Sequence, residues 1–567
     1  MKFITCAAAA LLSVMTVSGA EKTTVINVKP VKGDATVTLQ KAIDRAAKMK
    51  GRAVEIKLAP GVYNISRTKA TPRLYFVSNT TTVQENPDNT KHVGLLMRGI
   101  SNLTIDGGGA KIITHGEMTP WAIDSCSNVT LRNFTIDAAD PSVPEMTVTA
   151  QDMTSMTARV HPRSKYEIRD GKLYWQGEGW EFTDGIAQIY SPTDSTTLRT
   201  DSPIEFSQSV EEIEPGLVKF TFKRKMPDVT GMTYQMRHSF RTEVAGLICN
   251  SSDVTLESLN LQFMGNFGIV AQMSNNVTYR KLRCAPDAES GRTCTGFADF
   301  LQVSGCGGHV AIEDCYFAGS HDDPINVHGT HLRIVGHEGA NKLKVRFMHG
   351  QTRGFRAFFA GDSVAIVDSR SLQRRNIAVL KDARLISDFE MELTLDRDVP
   401  AELLKLKDAV VENITWSPSV NISRCYFTLT PTRGILITTW RPVVIEDCTF
   451  FRCPMSSVLI ADDARSWYES GPAHNVVIKD NRFIDCVSPV ILVAPEASVN
   501  DGPVHENISI RNNTFENTGR FKPSNPSAEI RARLVKNLEV KGNTVIAPSR
   551  GATLKVNTES CSPVTIE

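Results

Sequence analysis

Apolar residues recur along this chain with two periods. In Leu39-Gln40-Lys41-Ala42-Ile43-Asp44-Arg45-Ala46-Ala47, positions Leu39, Ile43 and Ala46 fall on one side of a 3.6-residue turn, which predicts an amphipathic helix. Gly51 ends it, and Ala53-Val54-Glu55-Ile56-Lys57-Leu58 then alternates at period two, which predicts a strand. Pro60-Gly61 turns the chain into a second short strand, Val62-Tyr63-Asn64-Ile65. A helix and strand in this order suit the cap of a solenoid, whose open first edge would otherwise invite aggregation.

From there one pattern returns ten times: an Asn or small polar residue, then an alternating strand. Copies begin at Ser101-Asn102, Ser127-Asn128, Ser252-Asp253, Asn275-Asn276 and His309, and again at Val420, Val443, Asn475, Glu506-Asn507 and Lys536-Asn537. The steps are 26 residues from Asn102 to Asn128, 23 from Val254 to Val277, 23 from Cys425 to Cys448 and 32 from Asn481 to Asn513. Short strands at 20 to 35 residues in constant phase predict a parallel β-helix with one coil per repeat; a β-sandwich would not hold one phase so long. Residues 145–242 and 331–412 lack the Asn-led repeat and are too long for loops. Strand-like runs such as Leu217–Phe222 and Met391–Leu395 make them two inserted β modules, placed to wall a pocket. The expected organisation is a leader (1–20), the cap and first coils (21–144), the first insert (145–242), middle coils (243–330), the second insert (331–412) and C-terminal coils (413–567).

Composition narrows the function. Of 567 residues 41% are hydrophobic, which excludes wholesale disorder. The formal net charge is +1, without the basic excess a nucleic-acid binder needs. No internal stretch approaches the roughly 20 apolar residues of a membrane span. Lys2, the apolar run Phe3–Val17 and Ser18-Gly19-Ala20 read as a secretory signal, so a secreted or periplasmic location is expected. Eleven cysteines follow Cys6, an odd number, and several sit inside strand-like stretches; they are expected to be core residues rather than disulfides.

The chemistry concentrates in Gly296-Phe297-Ala298-Asp299-Phe300-Leu301-Gln302 and Ser320-His321-Asp322-Asp323-Pro324-Ile325-Asn326-Val327-His328-Gly329. Asp299 lies 23 residues, one coil, before Asp322. Coils stack about 4.8 Å apart, so Asp299 falls beside the Asp322–Asp323 pair, provided that the backbone bends before Pro324 to aim both inward. Clustered carboxylates repel when ionised, which raises one pKa and leaves an acid beside its bases. Glycoside hydrolysis needs that division. His321, Asn326 and His328 surround the trio as substrate-binding candidates. Solvated turn aspartates or a Ca²⁺ site are the competing readings. Asp462–Asp463 reads as a turn or helix start. Trp440 is a candidate sugar-stacking platform, with Trp175 and Trp180 as weaker ones.

Together the opening helix and strand, the Asn-led coils, and Asp299 followed by Ser320-His321-Asp322-Asp323-Pro324-Ile325-Asn326-Val327-His328-Gly329 resemble glycoside hydrolase family 110. The resemblance implies a right-handed parallel β-helix of the pectin-lyase type carrying two β-barrel or sandwich modules. It also implies a bacterial exo-α-1,3-galactosidase acting on blood-group-B-type glycans, inverting and independent of metal or other cofactors. Asp322 would be the general acid, with Asp299 and Asp323 orienting and deprotonating the water. The partner is then a glycan with terminal α-1,3-linked galactose, with no nucleic acid and no membrane span; the inserts are candidates to mediate a homodimer. Polygalacturonases also place an Asp one coil before an Asp-Asp pair, but this chain lacks their Arg-Ile-Lys segment for a uronate. A non-catalytic β-helix adhesin is the alternative outside enzymes.

Overall fold

The structure is a computed structural model that describes residues 23–80, 82–85, 87–519, 528–547 and 553–567. The expected leader, 1–20, lies outside the described residues. The Asn that leads each repeat is a corner. Asn102, Asn128, Asp253, Asn276, Asn475, Asn507 and Asn537 all sit in the left-handed region, with φ between 51° and 60°. Asn and Asp tolerate that conformation better than other residues with a side chain. Their side chains also bond from coil to coil. Asn128 Nδ2 donates to Asn102 Oδ1 at 2.8 Å, Asn276 to Asp253 at 2.9 Å, Asn507 to Asn475 at 2.9 Å, and Asn537 to Asn507 at 2.7 Å.

Past each corner the chain enters a long parallel sheet. One aliphatic column runs through it in register: Val54, Leu103, Val129, Val254, Val277, Val310, Val420, Val443, Val476, Ile508 and Leu538. The column is buried throughout. It crosses both inserts without losing phase, since Val129 pairs with Val254 and Val310 with Val420. A second parallel sheet closes the coils on the other side. Helix Thr36–Ala47 covers the first coil by burying Leu39, Ala42, Ile43 and Ala46. Among the described residues no helix is long and apolar enough to cross a membrane.

Between the sheets, Phe300, Phe317, Phe427, Phe450, Phe483 and Phe515 stack ring on ring with centroids 4.6 to 5.9 Å apart. Phe450 is 0% exposed and touches a ring above and below. Phe450→Ala is therefore expected to cost about 3–5 kcal/mol, read as a lower midpoint in urea denaturation. The described cysteines are all unpaired and nine are buried, as core residues would be.

The first insert holds a seven-stranded antiparallel sheet between Glu145 and Arg237, plus a three-stranded one over Lys165–Phe182. Trp175 is wholly buried in its core, and Trp180 stacks on Phe182. Both are spent on packing within that module, so neither is a sugar platform. The second insert is a closed six-stranded barrel built from strands between Leu332 and Asn413.

Candidate active site

The second sheet supplies the floor. Strands Leu301–Ser304, Ile325–Thr330, Ile435–Ile437, Val458–Ile460 and Ile491–Val493 lie side by side, with Gln302, Asn326, Leu436, Leu459 and Leu492 in one row. The row faces away from the aliphatic core. Immediately before these strands the chain carries Asp299, then Asp322–Asp323, then Arg433. Leu301 N–H donates to Pro324 O at 2.9 Å and His321 N–H to Ala298 O at 3.4 Å, which ties the Asp299 segment beside the Asp322–Asp323 segment. Residues 320–324 are bent rather than extended, and both aspartates open into the same cleft of about 160 Å³.

Each carboxyl has a different environment. Burial, reinforced by Asp322 and opposed by Arg241, pushes Asp299 well above the usual carboxylate range, with Asp323 and Glu469 adding to the push. Asp299 is thus the natural proton holder of the three. Asp323 accepts from Arg433 Nη2 at 2.8 Å, from Nε at 2.9 Å and from the Arg433 backbone N–H at 3.0 Å. Burial pushes its carboxyl up and Arg433 pulls against that. Burial likewise disfavours the Arg433 charge, but Asp323 outweighs it and raises the guanidinium above its ordinary value. The net effect of burial is still to raise Asp323 above its ordinary value, and the three N–H donors limit the rise by favouring its ionised form. Asp322 is the most open of the trio, and it pairs with Arg199 at 3.2 Å and Arg241 at 3.4 Å.

Opposite the trio, the chain beyond Ile460 folds back as a loop. Asp463 accepts the backbone N–H of Arg465 at 2.8 Å, of Ser466 at 3.0 Å, of Tyr468 at 3.0 Å, and that of Trp467. The pair Asp462–Asp463 is therefore a turn, as its sequence indicates, but the Asp463 carboxylate also lines the cleft. The loop presents Trp467, whose ring lies 4.3 Å from that of His349 in the second insert, and then Glu469.

Of the other expected contacts, Asn326 stands on the floor of the cleft. His321 does not: it is 1% exposed and neither ring nitrogen has a hydrogen-bond partner among the described residues. Burial, then Arg237 and Arg199, push its imidazole well below the usual range, so it packs as a neutral ring behind the trio. His328 is also buried; Nδ1 bonds Gly329 O at 2.7 Å and Nε2 lies 3.6 Å from Glu469 Oε1, supporting the wall from behind. Trp440 is displaced further. Its backbone N–H is held by Ser417 Oγ at 2.8 Å, and its ring lies between Arg374, 3.8 Å away, and His474, 4.8 Å away. Trp467 occupies the position expected of it. Among the described residues, no group of three His, Cys, Asp or Glu side chains is arranged to hold a metal ion.

Sequence reasoning missed Asn79, Arg199, Arg241, Arg433 and Glu469. Arg433 had a signal, since it stands before its strand as Asp323 does before the preceding one. The others come from segments outside the repeat, where no phase marks which side chain faces inward.

Comparison with known proteins agrees with this architecture. The family model of GLAA-B beta-barrel domain I matches residues 144–232, that of GLAA-B beta-barrel domain II matches 342–410, and that of a right handed beta helix region matches 413–560. Alpha-1,3-galactosidase A of Bacteroides thetaiotaomicron is 43% identical over 92% of this chain and 91% of its own length. Alpha-1,3-galactosidase A of Bacteroides fragilis is 41% identical over 84% of this chain and 80% of its own. Alpha-1,3-galactosidase B of Bacteroides thetaiotaomicron is 30% identical over 90% and 85%. With these proteins the chain belongs to one family, glycoside hydrolase family 110.

Proposed function

We propose that this chain is an exo-acting α-1,3-galactosidase that releases terminal galactose from blood-group-B-type glycans with inversion. The observation that carries the reading is the trio: three carboxyls from adjacent coils in one cleft, one pushed well toward protonation and one paired with Arg433, which favours its ionised form. The relatives' printed names supply the substrate class. A cleft of only about 160 Å³ supports removal of single terminal sugars. Six carboxyls line it against two guanidiniums, which favours a neutral sugar over the uronate of a pectinase.

In this mechanism the glycosidic C–O bond breaks as its oxygen takes a proton from the acid. The bond from the anomeric carbon to water forms on the opposite face as a base takes the water's proton. Asp322, the most open of the three, reaches the leaving oxygen. Within a coupled trio a proton belongs to the group rather than to one residue. On Asp322 it serves the leaving oxygen, and Asp299, then ionised, joins Asp323 in holding the water. The N-terminal segment suits export to where such glycans are met.

Incubation with B-type trisaccharide followed by NMR tests the reading. β-Galactose is expected first, converting to the anomeric mixture later. α-Galactose first would refute inversion, and no galactose would refute the activity.

A further inference from the structure

Beyond the trio the cleft is lined by Asp463, Glu469 and Glu496, and the mechanism leaves Glu469 without a task. Its strand, Glu469–Ser470, pairs antiparallel with Gly329–Thr330 at the end of a floor strand. The side chain reaches back from there over Asn326. Oε1 is taken up by protein: Asn79 Nδ2 donates at 2.8 Å, Asn326 Nδ2 lies at 3.5 Å and His328 Nε2 at 3.6 Å. Asn79 is itself fixed, since its Oδ1 accepts from Thr352 Oγ1 of the second insert at 2.9 Å. All three of these Glu469 contacts fall on Oε1, and Glu469 lines the cleft with its side chain 11% exposed. Beside it, the buried Asn326 Oδ1 is unpartnered among the described residues. An acceptor as buried as Asn326 Oδ1 is costly to leave open unless a ligand supplies the donor.

Glu469 and Asn326 line the same cleft as the trio, so a sugar bound at the trio is met by both. With the anomeric carbon at the trio, the group facing Glu469 is the one across the ring, on C4. In galactose that hydroxyl is axial, the single difference from glucose.

We propose that Glu469 reads the axial 4-hydroxyl of the terminal galactose on Oε2, with Asn326 Oδ1 accepting a neighbouring hydroxyl. The inference rests on the galactosidase reading and names the residue that sets its sugar specificity. A site built around one substrate hydroxyl rejects the analogue lacking it far more strongly than an apolar site rejects a missing methylene.

The test pairs a side-chain deletion with a substrate deletion. The full chain, as wild type, Glu469→Gln and Glu469→Ala, is assayed on B-type trisaccharide and on its analogue deoxygenated at C4 of the terminal galactose. Wild type is expected to lose about 1,000-fold in kcat/KM on the deoxy substrate. Glu469→Gln is expected to lose about 100-fold on the parent and to show little further loss on the deoxy analogue. The same deoxygenation factor in wild type and variant would make Glu469 a mere support for Asn79 and overturn the proposal. Glu469→Gln keeps the shape, so it decides the matter if the Ala variant fails to fold. A wild type inactive on the parent would instead refute the galactosidase reading, and this inference with it.

Discussion

Asp299→Asn and Asp322→Asn are each expected to lower kcat about 10³–10⁴-fold, with circular dichroism unchanged. Positioned acid–base groups contribute on this scale, and an amide can neither deliver nor accept the proton. The two losses should differ in kind. Asp322 faces the opening and pairs with Arg199 and Arg241. As the acid, its loss matters less when the leaving group departs without protonation. On 4-nitrophenyl α-galactoside, Asp322→Asn should recover much of its deficit. Asp299 is buried beside it and, in the proposed mechanism, acts on the water. Its deficit should persist on the activated substrate. If Asp299→Asn recovers and Asp322→Asn does not, the acid and base are the other way round. Retention of full activity in both would make the cleft a binding site only. The Asp299→Asn protein should be at least as stable as wild type, because a buried amide is never forced to carry the charge that burial disfavours on the Asp299 carboxyl.

The parts of the molecule legible in the sequence are those governed by a period. The coil phase gave away the strands because the same column from Val54 to Leu538 had to be apolar in every turn. The trio was legible for the same reason: Asp299 stands one coil before Asp322, and stacking does the rest. The αL geometry explains why Asn marks the repeat, a point that spacing alone did not reveal. Side-chain direction at the irregular ends of coils carried no such signal. His321 and His328 are neighbours of the trio in sequence but point behind the wall, whereas Asn326 points into the cleft. Trp440 and Trp467 show the same limit. One ring is drawn off by Arg374 of the second insert, and the other is brought in by His349 of that insert. Which ring lines the cleft was decided by barrel residues, 26 and 51 positions beyond Asp323, that belong to no repeat.

Arg433→Met is the second large effect, and it acts on two observables at once. Asp323 is buried and receives three N–H donors from Arg433, of which the substitution removes the two from the guanidinium. Breaking a buried pair from one side leaves an uncompensated charge and costs about 3–5 kcal/mol, seen as a lower urea midpoint. The pH profile carries the functional consequence. Burial and Asp322 push the Asp323 carboxyl up, and Arg433 is the group that opposes them. Without it Asp323 binds its proton at higher pH. As pH falls, the base is lost sooner, so the acid limb of kcat/KM should move to higher pH while the basic limb stays. Arg433→Lys retains a charge but not the planar fork, and should fall between wild type and Met on both measures. An acid limb unmoved in Arg433→Met would mean that Asp323 is not the group titrating there. An unmoved urea midpoint would mean that the pair relaxes into water once broken, and the buried carboxylate that orients the attacking water would have to be sought elsewhere in the trio.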